Sequence, residues 1–286
     1  MNIRIIPRLD IKGPNLVKGI HFEGLRVLGK PEQFARYYYE NGADELIYMD
    51  AVASLYGRNS LLDIVERTAR EIFIPLTVGG GLRSVEDIRA VLRAGADKVS
   101  LNTAAIAHPE LIREASLAFG SSTIVVSIEA IRKPNGGYEA YVNYGRDRTD
   151  MDVFEWAERA VELGAGELVV TSIDREGSGK GFDLELIRRI AESVPVPVIA
   201  GGGAGKVDDV YDVIADGKAD AVTLASILHY NYVRQHRATD EDYSVEGNTE
   251  FLKNPNRLST IKDVSLSDIK TYLVERGVQC RWPIVD

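Results

Sequence analysis

The sequence predicts an α/β protein that folds as one (β/α)₈ barrel, the TIM-barrel architecture, with a twofold internal repeat of half-barrels. Short β-branched runs alternate with amphipathic helical patterns along the 286-residue chain, and eight such runs occur. Strands that are almost wholly apolar, each followed by a helix, require a parallel sheet covered by those helices. Eight such units favour closure into a barrel. An open doubly wound sheet is the alternative, but it requires neither eight units nor an internal repeat.

The eight predicted strands are short apolar runs of high β-propensity. In chain order they are IRIIPRL, ELIYMD, IPLTV, DKVSL, TIVVSI, ELVVTS, PVIA and AVTLA. Helical patterns separate them: EQFARYYYEN, LLDIVERTARE, VEDIRAVLRAG, ELIREASLAF, DVFEWAERAVELG, LELIRRIAES, DDVYDVIADG and, as an eighth, SLSDIKTYLVERG. Ser84 with Asp87, and Ser265 with Asp268, fit capping boxes that begin two of these helices.

Three pairs of segments recur at an offset of 122 residues. They are GADELIYMD from Gly42 and GAGELVVTSID from Gly164, GGG from Gly79 and from Gly201, and GADKVSL from Gly95 and GKADAVTL from Gly217. The constant offset predicts that strands two to four correspond to strands six to eight. It also pairs Asp10, at the end of strand one, with Glu129, at the end of strand five. Weak self-similarity of any βα barrel is the alternative explanation.

Two segments break this symmetry. The sequence KPNGGYEAYVNY after strand five predicts a β-hairpin. A polar segment of about residues 231–260, before the last helix, lacks a strong helical period and is expected to be a surface loop or a mobile insertion. We therefore predict a single barrel domain over residues 1–286 that carries this insertion.

The composition indicates a globular protein rather than a membrane protein. Hydrophobic residues make up 45% and charged residues 27% of the chain, and no apolar run approaches the length of a membrane span. The start, MNIRIIPRLD, lacks the features of a secretory signal, so a cytoplasmic location is expected. The formal charge of −9 disfavours nucleic acid and anionic membranes as partners. A small molecule or another protein is the expected partner.

No cofactor or metal site is predicted. Cys280 is the only cysteine, which excludes an internal disulfide and argues against a cysteine-based zinc site. The four histidines lack metal-ligand spacing. The acids Asp50, Asp174 and Glu176 end strands, but they belong to different strands and nothing in the sequence fixes their convergence.

Two phosphate-binding sites are predicted at the C-terminal ends of the strands, where active sites of such barrels lie. The first phosphate site combines the Gly79–Gly81 turn with Asn102 and Thr103, and the second combines the Gly201–Gly203 turn with Ser226 and Gly177. Glycine lets backbone N–H groups approach an anion, while helix N-termini and short polar side chains add further donors. A lone GGG is more often only a tight turn, so the argument depends on its recurrence.

Asp10 and Glu129 end strands on opposite sides of the predicted barrel mouth. One carboxyl group could remove a proton while the other supplies one, with their pKa values separated by burial or by neighbouring charges. The alternative interpretation is structural, with either acid pairing with Lys18 or Arg8.

Four charged residues stand near the starts of strands at the opposite end of the barrel: Arg4, Glu45, Lys98 and Glu167. From the residues alone, this charged quartet is best explained as an ion-pair plug that closes the bottom of the barrel.

Several segments together resemble the cyclase subunit of imidazole glycerol phosphate synthase, the HisF type, over nearly the whole chain apart from the insertion. They are RLDIKGPNLVKG, DELIYMDAVAS, TVGGGLRS, GADKVSLNTAA, GAGELVVTSIDREG, VIAGGGAGK and DIKTYLVERGV. The resemblance implies a duplicated half-barrel that binds a bisphosphate across its mouth. It also implies that ammonia arrives through the barrel from a glutaminase subunit of the HisH type, docked on the opposite, N-terminal face.

The resemblance assigns roles to individual residues. It implies that one phosphate is held by Gly81, Asn102 and Thr103, and the other by Gly177, Gly203 and Ser226. Asp10 falls on the essential aspartate of strand one, and Lys18 on the lysine of a mobile first loop that closes over substrate. The quartet Arg4, Glu45, Lys98 and Glu167 falls on the ammonia gate, and Asp97 on an acidic residue of the glutaminase-facing surface.

Four departures from the family pattern cluster around the substrate. Glu129 replaces the second catalytic aspartate, Arg8 replaces a cysteine, Glu176 replaces an aspartate and Gly201 replaces a serine. An extra methylene moves a carboxyl group by roughly 1.5 Å, which can impair a tuned proton transfer. Arg8 could pair with Asp10 or bind a different anionic substrate.

Three functions follow as hypotheses. The first is the family reaction, in which ammonia and a bisphosphorylated ribulosyl aminoimidazole carboxamide give imidazole glycerol phosphate and aminoimidazole carboxamide ribotide, a step of histidine biosynthesis. The second is a HisF-like paralogue that supplies ammonia to a sugar amidotransferase of surface-polysaccharide biosynthesis. The third is a non-catalytic activating scaffold, which the retained Asp10 and Lys18 disfavour.

Overall fold

The computed structural model describes residues 2–53, 61–236 and 261–281. The eight barrel strands are β1 (Arg4–Lys12), β4 (Leu46–Asp50), β5 (Leu76–Gly79), β6 (Lys98–Leu101), β7 (Ile124–Arg132), β10 (Glu167–Ser172), β11 (Val198–Gly201) and β12 (Ala221–Leu224). They are parallel and pair in the order β10-β11-β12-β1-β4-β5-β6-β7, and pairing of β7 with β10 closes the ring. The predicted (β/α)₈ barrel is confirmed.

Helices follow the barrel strands and cover the outside. They are α1 (Pro31–Glu40), α2 (Leu62–Ala69), α3 (Val85–Arg93), α4 (Thr103–Ala107), α5 (Glu110–Phe119), α6 (Val153–Glu162), α7 (Leu184–Ser193), α8 (Val207–Ala215), α9 (Ser226–Gln235) and α10 (Leu266–Glu275), with a 3₁₀ turn at Ser121–Thr123. All eight helical patterns read from the sequence are present. Ser265 and Asp268 form the predicted reciprocal capping box. At α3, Ser84 caps the helix, but Asp87 bonds back to the N–H of Arg83 instead of Ser84.

The helix α9 was not predicted. Its residues 231–235 overlap the start of the predicted polar insertion, and this start is therefore wrong. The reason is that α9 packs its aromatic and apolar side chains against the barrel and α1, so burial rather than a clean polar-apolar period supports it. The rest of the predicted insertion, residues 237–260, lies outside the described residues.

Two antiparallel extensions rise from the C-terminal ends of the barrel strands. After β7, strand β8 (Tyr138–Val142) pairs antiparallel with the end of β7 and confirms the predicted hairpin. Strand β9 (Asp147–Asp152) pairs with β8 and was not predicted. After β1, strands β2 (Asn15–Ile20) and β3 (Glu23–Gly29) form a second hairpin that the sequence analysis did not identify. We call it the β2–β3 hairpin. These extensions stand beside the barrel mouth.

The half-barrel repeat extends to the backbone. Asn102, before α4, and Ala225, before α9, have nearly the same conformation, with φ and ψ of −136° and −86° against −124° and −86°. Asp97 and Asp220 also act alike, because each accepts a backbone N–H from the start of the preceding barrel strand at 2.8 and 2.9 Å. The two halves therefore place equivalent turns at opposite sides of the mouth.

Most of the buried apolar side chains of the barrel pack in two separate regions. The main core lies between the strands and the helices. A smaller cluster fills the inside of the barrel and consists of Ile6, Ile47, Met49, Val125, Val169, Ile199 and Ala221. The barrel is thus filled by side chains between its two ends. Among the described residues, none of the helices has the length and apolar character that crossing a bilayer would require.

Candidate active site at the barrel mouth

The β2–β3 hairpin lies across the C-terminal end of the barrel. The backbone N–H of His21 donates to the carbonyl of Glu176 at 2.9 Å, and the His21 ring is 2.7 Å from the carbonyl of Ile173. Phe22 packs against Tyr144 of the second extension, with ring centroids 4.3 Å apart. These contacts hold the hairpin tip over the mouth and bury the side chains beneath it.

Arg8 and Asp10 project from β1 into the mouth, since residues two apart share a face of a strand. Arg8 Nε donates to Asp10 Oδ1 at 2.9 Å, and both side chains are almost fully buried. Arg8 Nη1 also donates to the Thr171 hydroxyl at 3.3 Å. Burial opposes the charge of Arg8, but the combined attraction of its neighbours, with Asp10 the largest contributor, outweighs burial and raises the pKa of Arg8. Asp10 is therefore held by a permanent cation.

Glu129 projects from β7 into the same mouth and is buried. Its Oε2 accepts the backbone N–H of Gly145 at 2.8 Å. Burial raises the pKa of Glu129 to about 7, although Arg8 and the Gly145 hydrogen bond act in the opposite direction. Near neutral pH the carboxyl group can therefore either give or take a proton.

Lys18 of the β2–β3 hairpin reaches Glu176 in the loop after β10. Its ammonium donates to the Glu176 carboxylate and, at 3.1 Å, to the carbonyl of Gly19. Burial opposes the charge of Lys18, but Glu176 and Asp10 raise its pKa. A buried ion pair thus connects the hairpin to the opposite wall of the mouth.

The first phosphate site borders a cavity of about 310 Å³, a size suited to a small ligand. Gly81, Asn102 and Thr103 all line it, together with Glu129. Gly80 and Gly81 have φ of +100° and +73°, and a side chain on Gly80 would collide with the backbone of Asp50. Glycine is therefore needed to form this turn.

The predicted second phosphate site borders a niche of about 20 Å³, a little more than one water molecule needs and too small for a sugar. Gly177, Gly203 and Ser226 all line it, together with Arg8. Gly203 has φ of +118°, and a side chain there would collide with the carbonyl of Gly181. Ser226 begins the ten-residue helix α9, whose N-terminus favours an anion.

The charged quartet closes the opposite end of the barrel as a ring. Arg4 Nη1 donates to Glu45 at 2.7 Å and to Glu167 at 2.9 Å. Lys98 Nζ donates to the same two carboxylates, at 3.1 Å each. Burial opposes the charge of Arg4, but hydrogen bonds and charge attraction from both glutamates raise its pKa. Each cation therefore bridges both anions.

Asp97 lies beside this ring, on the N-terminal face. It is exposed, and one of its oxygens accepts the N–H of Leu76 at 2.8 Å. Asp44 makes the same kind of contact with the N–H of Ile5. The contact to β5 is thus structural, while the exposed position leaves Asp97 accessible at this face.

The predicted site residues fall into three groups in the structure. Asp10, Glu129 and Lys18 lie at the mouth, the two predicted phosphate sites border it, and the quartet lies at the far end. Sequence reasoning did not find Tyr144, whose buried ring packs beside Asp10 and Arg8 and whose pKa burial raises strongly. Its positive φ of +60° lies in a hairpin turn, and no sequence signal pointed to it.

Within the described ranges, no three His, Cys, Asp or Glu side chains are placed so that they could hold a metal ion.

Comparison with known proteins places this barrel in a family. A family model described as "Histidine biosynthesis protein" matches residues 4–234. The chain is 57% identical to the imidazole glycerol phosphate synthase subunit HisF of Legionella pneumophila over 208 residues, which cover 73% of this chain and 98% of that protein. It is 46% identical to the HisF subunit of Geobacillus kaustophilus over 279 residues, covering 97% of this chain and 98% of that protein. It is 50% identical to the subunit of the same name from Methanocaldococcus jannaschii, with 97% and 98% covered. The chain therefore belongs to the histidine biosynthesis protein family, as a HisF-type subunit.

Proposed function

We propose that the barrel mouth carries out the cyclase reaction of imidazole glycerol phosphate synthase. In this reaction, ammonia and an open-chain bisphosphorylated ribulosyl aminoimidazole carboxamide give imidazole glycerol phosphate and aminoimidazole carboxamide ribotide. The role as cyclase subunit in histidine biosynthesis rests on the HisF relatives. The observation that supports its location is the pair of buried carboxyl groups, Asp10 and Glu129, between two phosphate sites.

Binding of a bisphosphate is supported by the two glycine turns. They stand at equivalent positions of the two half-barrels, and each has hydroxyl or amide groups of the next barrel strand beside it. Two anchored phosphates would fix the sugar chain across the mouth. The reacting carbon would then lie above Asp10 and Glu129, where holding reactants in place lowers the barrier.

Division of proton transfers between the two carboxyl groups is supported by their surroundings. Asp10 accepts a hydrogen bond from the Arg8 guanidinium at 2.9 Å, which fixes the orientation of its carboxyl group toward the mouth. Glu129 keeps its proton to about pH 7 and suits donation. Removal of water by the β2–β3 hairpin would protect the intermediate during ring closure.

The proposed ammonia route starts at the charged ring. A glutaminase subunit docked on the N-terminal face, near Asp97, would release ammonia at Arg4, Glu45, Lys98 and Glu167. The ammonia would then pass along the apolar interior to the mouth, which keeps it neutral and nucleophilic. Because the ring is closed by its ion pairs, passage requires at least one of them to part.

The proposal is tested by comparing variants in an ammonium-driven assay without a partner. Asp10→Asn and Glu129→Gln are each expected to lower the release of imidazole glycerol phosphate by about 100-fold or more, the scale of a lost acid or base. Asp174→Asn is the matched control, because Asp174 also follows a barrel strand at this end but is exposed and accepts the backbone N–H of Arg132. Equal rates for all four proteins would contradict the assignment. No turnover by the wild type, together with stimulation of a glutaminase partner, would instead favour the ammonia-supplying paralogue.

A further inference from the structure

Three buried polar atoms around the second phosphate site have no hydrogen-bond partner among the described residues. They are Arg8 Nη2, Thr223 Oγ1 and Ser226 Oγ. All three residues line the niche of about 20 Å³, and they are only 4%, 4% and 5% exposed. Buried polar groups are normally paired, so three unpaired groups around one niche indicate a polar ligand.

The guanidinium of Arg8 is hydrogen-bonded through two of its three nitrogen atoms. Its Nε bonds to Asp10 and its Nη1 to Thr171, which fixes the plane of the group. Nη2 is left with two N–H donors at the niche. The hydroxyls of Thr223 and Ser226 add donors from the end of β12 and the start of α9.

The charges around the niche suit an anion. Glu176 also lines the niche, but Lys18 neutralises its carboxylate. Asp10 balances the single charge of Arg8, so these two cations and two anions sum to zero and do not repel an anion. A guanidinium with a free edge binds phosphate oxygens through short charge-assisted hydrogen bonds.

We propose that Arg8 is a phosphate ligand of this chain, and that its Nη2 donates to the phosphate in the second site together with Thr223 and Ser226. Arg8 adds a charged donor to the uncharged hydroxyls of Thr223 and Ser226 and would strengthen the hold on that phosphate. The inference rests on the proposed function for the identity of the phosphate ester. It does not rest on it for the existence of the anion site.

The test is a titration of the full-length protein with inorganic phosphate. Binding is monitored through the amide NMR signals of glycines. Gly177 and Gly203 report on the second site, and Gly81 reports on the first. In the wild type we expect both sets to shift with phosphate. In Arg8→Met, the Kd read at Gly203 should rise about tenfold or more, the effect of a lost charged hydrogen bond, while the Kd at Gly81 stays within twofold.

Two further variants keep the test decisive if Arg8→Met disturbs the fold. Ser226→Ala removes one hydroxyl without changing charge and should weaken binding at Gly203 alone. Asp10→Asn leaves Arg8 in place and removes its counter-charge, so phosphate should bind at Gly203 as tightly as before or more tightly.

Absence of phosphate-dependent shifts at Gly177 and Gly203 in the wild type would overturn the inference. Equal weakening of phosphate binding at Gly203 by Asp10→Asn and by Arg8→Met would also overturn the inference. Because no turnover is measured, a failed cyclase assay leaves this result unaffected.

Discussion

Glu129 stays protonated at a pH where an ordinary glutamate is ionised, because it is buried in the mouth beside Gly145 and burial outweighs the attraction of Arg8. An unfolded chain would ionise the same group near pH 4.5. Between these two pH values the folded state therefore binds more protons than the unfolded state. The stability that Glu129 contributes falls as the pH rises through this window.

Replacing Glu129 by Gln should remove this pH dependence. Between about pH 4.5 and pH 7 the wild type should lose about 3 kcal/mol of unfolding free energy relative to Glu129→Gln, the value of a shift of this size. Denaturant unfolding at several pH values measures the difference. Glu158→Gln, at an exposed helix position, is the control and should follow the wild type. A pH-independent difference between wild type and Glu129→Gln would contradict the assigned pKa.

The contact between Arg8 and Asp10 was predictable from the sequence as an alternative, since two positions apart on one strand place both side chains on one face. The ion pair of Lys18 with Glu176 was not predictable from the sequence. These residues are 158 positions apart, and they meet only because the hairpin folds over the mouth.

At the scale of elements, the β2–β3 hairpin is the part of the mouth that the sequence concealed. Its turn consists of His21 and Phe22, both with positive φ of +52° and +63°. Tight hairpin turns of this kind usually contain Asn or Gly, and their absence hid the turn. Barrel strands were easier to predict, because burial on both faces makes them continuous apolar runs.

The Lys18–Glu176 pair is expected to hold this hairpin in place. Lys18→Met leaves the Glu176 carboxylate buried without its partner, so the hairpin should open more often. Backbone amides of residues 15–29 should then exchange hydrogen about tenfold faster or more, as measured by mass spectrometry. Lys12→Met, at an exposed position of β1, is the matched control. Unchanged exchange in Lys18→Met would show that other contacts hold the hairpin.

At the scale of the molecule, the barrel places its charged ring and its candidate active site at opposite ends. The charged ring stands at the N-terminal end, the carboxyl groups and phosphate sites at the C-terminal end, and an apolar cluster lies between them. The repeat, the glycine turns and the quartet could all be predicted from the sequence, because each is local or recurs at a fixed offset. The sequence also predicted an ion-pair plug, but not that each cation bonds to both carboxylates, because that pattern depends on barrel geometry.

The ring should matter only for ammonia that enters from its side. Glu167→Gln leaves Arg4 and Lys98 with one shared carboxylate and should cost about 1 kcal/mol of stability, because the ring is partly exposed. With a glutaminase partner, the glutamine-driven rate should fall several-fold, while the ammonium-driven rate stays within about twofold of the wild type. A parallel fall of both rates would mean that the ring supports the fold and not the delivery of ammonia.

The most direct test of the proposed cyclase reaction is turnover by the isolated chain. The bisphosphorylated ribulosyl aminoimidazole carboxamide is incubated with the protein and an ammonium salt, and both products are quantified over time. We expect imidazole glycerol phosphate and aminoimidazole carboxamide ribotide to form in equal amounts, at a rate that rises with ammonium and is lost in Asp10→Asn. Unconsumed substrate at saturating ammonium, with a folded protein that binds phosphate at both sites, would contradict the proposed function.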